Sequence, residues 1–218
     1  MTMTPTQFIP YLYLMKAGYD HSSENTMFEW IRSRTDDVAI VEDNETFTVI
    51  ILGTEPTIGE WIQNFNVRSV EWLNIGRVHG GFAKNVHELL GREDQPNSVI
   101  SKAIKASLAG KKILLCGHSR ANALIQLAAT QFVAHGVNKD LITVIGCGGV
   151  RIGNARFKKA YKAMLGERTF VLNGKNDPVR FVPFWGSQNA KQTLIDLGGY
   201  RPKHLLKHYI KRVHEIQS

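Results

Sequence analysis

Residues 112–134 constrain this chain more than any other stretch. Lys112 to Cys116 (KILLC) is a short apolar run of the kind that forms a strand buried on both faces. Arg120 to Ala134 then carries Leu124, Leu127, Ala128 and Phe132 on one helical stripe and Ile125, Ala129 and Val133 on another. A helix that is apolar nearly all round is a buried helix. Only Gly117, His118 and Ser119 lie between the two, so a buried strand must turn into a buried helix within three residues.

The same alternation continues on both sides. Phe47 to Leu52 (FTVIIL) is a second continuous apolar run, ending at Gly53, and a candidate helix follows around Gly59 to Phe65. Val78 to Phe82 reads as a loop and Ala83 to Leu90 as a helix. Asn97 to Leu108 is a further helix, with Asn97 or Ser98 near its N-cap and Gly110 beyond its end. After the central helix, Gly136 supplies a C-terminal stop. Leu141 to Ile145 and Thr169 to Leu172 read as strands, and Ala155 to Leu165 as a helix. A final helix spans about Lys203 to Ile216. This order predicts an α/β protein with a mostly parallel sheet covered by helices on both faces. With no repeat or linker in 218 residues, a single domain is expected.

Composition narrows the setting. The hydrophobic fraction of 43% suits a chain with a substantial core, and no apolar run approaches the length of about 18 residues that a membrane span needs. The opening MTMTPTQFIPYLYLMKAGYD lacks a basic start and a small-residue cleavage site, and Pro10 interrupts its apolar patch. It reads as mature structure, and the expected location is cytoplasmic. The two cysteines, Cys116 and Cys147, fall in buried strands and read as thiols in a reducing compartment, although neighbouring strands would leave a disulfide open. The formal charge of +8 favours anionic partners. Its lysines and arginines are scattered without interleaved aromatics or zinc spacing, so nucleic acid is not expected as a partner. The oligomeric state is not legible.

In parallel sheets the reactive groups gather at the carboxyl ends of the strands. That rule brings Gly53-Thr54, Gly117-His118-Ser119 and Gly174-Lys175-Asn176-Asp177 to one edge. A serine hydroxyl there becomes a nucleophile only with a base, a group that orients the base, and donors for an oxyanion. Ser119 sits between strand and helix with the small Gly117 and Ala121 beside it, as a strained elbow requires; an N-cap serine fits the segment equally well. The Arg120 N–H, at the helix N-terminus, is one candidate oxyanion donor. Thr54 offers a second, or else an N-cap. Asp177 is either the orienting acid or a turn residue, with Pro178 holding it extended. Of eight histidines, His204 and His208 follow Asp177 and lie one turn apart, so either completes the order Ser, Asp, His. His118 is expected to point away from the reaction. His21, His87, His135 and His214 read as surface, and His79 has no assigned place.

Seven segments in order resemble the class 3, fungal-type lipase family of the α/β-hydrolases, from about Val38 to Ile210. Phe47 to Pro56 resembles a strand running into an Arg-Gly-Thr turn. Glu60 to Asn64 resembles Asp-Trp-x-x-Asn, and Val78 to Phe82 resembles Val-His-x-Gly-Phe. Ile113 to Ala129 follows the nucleophile strand and helix. Arg151 to Asn154 with Phe157 matches Arg-Val-Gly-Asn-x-x-Phe. Val171 to Val179 resembles Val-x-Asn-x-x-Asp-Pro-Val, and His204 with Tyr209 and Ile210 resembles the closing His-x-x-x-x-Tyr pattern. The resemblance implies the α/β-hydrolase fold, Ser119 as nucleophile, Asp177 as acid, His204 rather than His208 as base, and Thr54 and Arg120 as oxyanion donors. It implies a lipid or small-molecule ester as substrate and no metal or cofactor.

The sequence also departs from that pattern. Leu52 replaces the arginine before Gly-Thr, Arg120-Ala121-Asn122 replaces Leu-Gly-Gly, and Val150 replaces a proline. Arg120 is expected to set a charge beside the nucleophile, where it suits an anionic substrate such as a phospholipid, and Ala121 to crowd the elbow. About two dozen residues separate Thr54 from Val78, which leaves little room for a large lid. An ester hydrolase is the expectation. A silent hydrolase fold used as a scaffold, and an acyltransferase sharing the triad, are the alternatives.

Overall fold

The computed structural model describes residues 2–20, 27–32, 36–53, 68–183, 186–200 and 204–217. Its centre is a sheet built from β1 (Glu29–Arg32), β2 (Asp36–Glu42), β3 (Thr46–Gly53), β6 (Lys112–His118), β7 (Ile142–Cys147), β8 (Thr169–Gly174) and β9 (Lys191–Ile195), adjacent in that order. β1 to β3 are antiparallel, and every pairing from β3 to β9 is parallel. A separate hairpin joins β4 (Ser69–Trp72) to β5 (Gly76–His79).

Helices cover both faces. α1 (Ile9–Tyr19) and α6 (Leu206–Gln217) lie on one side; α2 (Gly80–Leu90), α3 (Val99–Leu108), α4 (Arg120–Ala134) and α5 (Ala155–Leu165) belong to the other. Alternation along β3 shows how. Phe47, Val49 and Ile51 join the cluster with Leu124, Leu127 and Phe132 of α4, while Ile50 and Leu52 join Leu12, Met15 and Tyr209 of α1 and α6. Both faces of the strand are therefore dry, which is why Val49 to Leu52 are apolar without a polar alternate. Each fully buried Leu, Ile or Phe contributes roughly 1.5–3 kcal/mol of hydrophobic stabilisation.

The strand and helix pattern read from the sequence is present, with α4 and α5 bounded as expected. Ser98 is the cap of α3 and accepts the Ser101 N–H. Residues 78–82 are not a loop: Val78 and His79 end β5, and Gly80-Gly81 open α2. α1 also begins where Pro10 suggested a break, because proline is tolerated in the first helical turn. The final helix begins at Leu206, and the candidate helix over 59–65 lies outside the described residues. Cys116 and Cys147 are buried free thiols on neighbouring strands. The register opposes Cys116 to Ile145 and Cys147 to His118. No helix among the described residues is long and apolar enough to cross a membrane.

Candidate active site

β6 ends at His118, and its parallel neighbour β7 ends opposite it at Cys147. The next residue, Ser119, has φ 62° and ψ −128°, a conformation that costs an L-residue on the order of 1–3 kcal/mol. Its N–H donates to the Cys147 carbonyl at 2.9 Å, and its own carbonyl accepts the Asn122 N–H at 3.1 Å. These bonds hold the reversal from strand to helix and lift the side chain clear of both. Gly117 is essential to the turn, since a Cβ there would stand 2.8 Å from the Ala121 backbone.

Three side chains from three separate elements meet at this elbow. The Ser119 Oγ lies 2.5 Å from His204 Nε2. His204 Nδ1 lies 2.7 Å from Asp177 Oδ2. With Nδ1–H donating to the carboxylate, Nε2 is left as an acceptor for the serine hydroxyl; this tautomer follows from the hydrogen-bond network. Asp177 follows β8, and His204 precedes α6, so the fold brings them together across a large gap in sequence.

Asp177 is almost fully buried, and burial pushes its carboxyl pKa up. Hydrogen bonds and charge from His204, with hydrogen bonds from the Tyr209 hydroxyl and the Val179 N–H, outweigh this and hold it below 3.8. Tyr209 donates to Oδ2 at 2.7 Å while its oxygen accepts the Gly174 N–H at 3.0 Å. The Val179 N–H reaches Oδ1 at 2.9 Å. The carboxylate is thus fixed on both oxygens, which fixes the imidazole it orients.

His118 does not point away from the site as expected. Its ring stacks on that of His204 with centroids 5.0 Å apart, and its Nε2 donates to the His204 carbonyl at 2.9 Å. Burial, then the proximity of His204, lowers its pKa to about 3 and keeps it neutral. A histidine beside a serine carries no sequence signal for this contact, because His204 is distant in the chain. His208, the other candidate base, stacks on Tyr200 instead. His79 is buried at the start of α2, with its ring 4.4 Å from that of Phe82, and burial lowers its pKa to about 4. His87 packs near Trp72, His135 bonds Glu93 and His214 bonds Tyr13; His21 lies outside the described residues.

The departures at 120–122 are absorbed by compensating partners. Arg120 does not present its charge to Ser119; its guanidinium is paired with the buried Asp36 of β2. Ala121 is fully buried and the elbow closes around it, because Gly117 opposite lacks a Cβ. Asn122 fits because Gly146 and Gly149 leave room. A Cβ on Gly146 would come within 1.7 Å of the Asn122 Oδ1. Leu52 packs beneath α1, where a Cβ on Gly18 would stand 2.9 Å from its Cδ2. The Arg-Ile-Gly-Asn segment serves structure. Asn154 caps α5 through the Phe157 N–H and also accepts the Arg77 N–H.

The first N–H groups of a helix have no acceptor within it, and that of Arg120 is the first of α4, directly after Ser119. Thr54 lies outside the described residues.

The family model described as "Lipase (class 3)" matches residues 48–187. The phospholipase A1-Ialpha2, chloroplastic, of Arabidopsis thaliana is 35% identical over 77 residues, which is 33% of this chain and 16% of that protein's length. Among solved structures, the triacylglyceride lipase of Rhizomucor miehei is similar with a TM-score of 0.66 at 16% identity, over 88% of this chain and 77% of that one. Lipase II from Rhizopus niveus gives a TM-score of 0.67 at 15% identity, over 87% and 77%. At such identities these structures establish the α/β fold alone.

Proposed function

This chain belongs to the class 3 lipase family, and from that premise we propose that it is a serine hydrolase of carboxylic esters, with Ser119 as nucleophile, His204 as general base and Asp177 as the acid that orients it. The observation that carries this reading is the unbroken hydrogen-bonded series Ser119–His204–Asp177 at the end of β6.

In this reading His204 Nε2 takes the Ser119 proton as Oγ attacks the ester carbonyl carbon. The carbonyl π electrons move to oxygen, and the oxyanion is met by the Arg120 N–H and by a donor from Thr54. The imidazolium is stabilised by Asp177. Collapse breaks the bond to the alcohol oxygen, which leaves with the proton from His204. Water then repeats the sequence on the acyl-enzyme, and the acid departs.

The substrate class proposed is a lipid ester. The name of the phospholipase relative supports phospholipids among the candidates. Peripheral contact with an anionic lipid surface is supported by the charge of +8 and by an open groove of about 550 Å³ between α1 and α6, where Lys16, Lys207 and Lys211 outnumber the single acid Glu215 beside Tyr13, Ile210 and His214. The scaffold alternative leaned on residues 120–122, whose side chains are accommodated by Asp36, Gly117 and Gly146.

The test is a panel of short- and long-chain esters and phospholipids, with free acid measured as product. Ser119→Ala is expected to abolish acid release while retaining the native circular dichroism spectrum. Undiminished release by that variant would remove Ser119 from the mechanism.

A further inference from the structure

We infer that the buried ion pair between Arg120 and Asp36 is a positioning device that ties the start of α4, which carries the proposed oxyanion donor, to the end of β3. This rests on the reading of Ser119 as nucleophile and of the Arg120 N–H as an oxyanion donor.

Residue 120 stands at the start of α4, and its main-chain N–H is the proposed donor. Its side chain, only 15% exposed, runs to the carboxylate of Asp36, which is fully covered. Asp36 is the first residue of β2 and pairs in antiparallel register with Gly53. Gly53 is the last residue of β3. One ion pair therefore ties the start of α4 to the end of β3. Its carboxylate is held at both oxygens, because Asn85 of α2 donates to Oδ2 at 3.2 Å while Arg120 engages Oδ1. Gly53 is anchored from the other face, where its N–H donates to the Tyr19 hydroxyl at 3.3 Å.

Charge adds a second reason. A lone carboxylate beside Gly53 would repel the negative charge that develops on the substrate oxygen in the transition state. The guanidinium cancels it.

Substitution at 120 keeps the backbone N–H, so any effect belongs to the side chain. The experiment compares wild type, Arg120→Leu, Arg120→Lys, Asp36→Asn and Asp36→Asn/Arg120→Leu. It measures kcat and KM on a soluble short-chain ester, and Ki for a trifluoromethyl ketone that mimics the tetrahedral intermediate. Active sites are counted by fluorophosphonate titration, so the values refer to folded sites only. Arg120→Leu is expected to lower kcat per site by about tenfold or more, with KM changed less than about threefold and Ki raised in parallel with the loss in kcat. Arg120→Lys is expected to recover part of the loss, and the double variant to exceed Arg120→Leu in kcat, because it no longer leaves Asp36 uncompensated. If Arg120→Leu does not fold, Arg120→Lys and Asp36→Asn carry the test through the same parallel between kcat and Ki. Wild-type kcat and Ki per site in the folded variants overturn the inference and leave the esterase reading intact. A wild type that neither labels nor turns over overturns that reading, and the inference with it.

Discussion

His118 lies flat against His204, ring on ring at 5.0 Å, and donates to its main-chain carbonyl. The histidine next to the proposed nucleophile thus braces the histidine that is to deprotonate it. Its own neutrality is a condition of that contact, since a second positive ring would repel the imidazolium formed during the reaction.

This contact predicts a pH dependence of stability. A histidine takes up a proton near 6.5 when unfolded, whereas His118 in the folded protein does so only at about 3. Between those values the unfolded state binds more protons, so stability falls as pH falls. The slope for this residue approaches about 1.4 kcal/mol per pH unit below pH 6.5. Urea unfolding at pH 7 and pH 5 is expected to show a smaller difference for His118→Asn than for wild type. An equal difference in the two proteins would contradict the neutral, buried assignment.

Tyr209→Phe tests the support beneath Asp177. Loss of the hydroxyl removes one bond to the carboxylate and leaves the Gly174 N–H without its acceptor. A cost of about 1–3 kcal/mol in stability and roughly tenfold in turnover is expected. The sign for pH is also fixed. Asp177 is held below 3.8, so its ionised contribution is complete above that value and is lost as pH falls through the lower, native pKa. Without Tyr209 the loss is expected at higher pH. Acid unfolding at the same pH in the variant as in the wild type would argue that the hydroxyl does nothing for Asp177.

Gly146→Ala is expected to be strongly destabilising, by several kcal/mol, because its methyl group would fall on the Asn122 amide. Asn122→Gly removes the obstacle, so the double variant is expected to recover much of the loss in thermal unfolding. Failure of Asn122→Gly to relieve Gly146→Ala would mean that the two positions are not coupled through this contact.

His204 and His208 differ by one helical turn in sequence and sharply in place. His204→Ala is expected to cut ester turnover by at least about a thousandfold. His208→Ala loses a stack on Tyr200 and is expected to retain turnover within a few-fold. The reverse ranking in a steady-state assay would exchange their roles.

The strand, elbow and helix around Ser119 were legible because burial on all sides leaves an apolar sequence that little else explains. Other parts were silent for physical reasons. β9 is a short, half-exposed edge strand, and β1 shares this weakness, so neither carries a clear period. Gly80 and Gly81 look like a loop in sequence, yet they begin α2. The side chains at 120–122 looked disruptive because their partners, Asp36 and Gly146, are remote in the chain. Buried pairings of that kind are visible only once the fold has brought the partners together. The stacking of His118 belongs with them.

The central claim is that Ser119 is an activated nucleophile, and intact-mass spectrometry after treatment with a fluorophosphonate tests it without assuming a substrate. The account predicts one adduct on the wild-type chain, mapped by peptide digestion to Ser119 and absent from Ser119→Ala. A folded wild type that takes up no adduct, or an adduct that persists in Ser119→Ala, would contradict it.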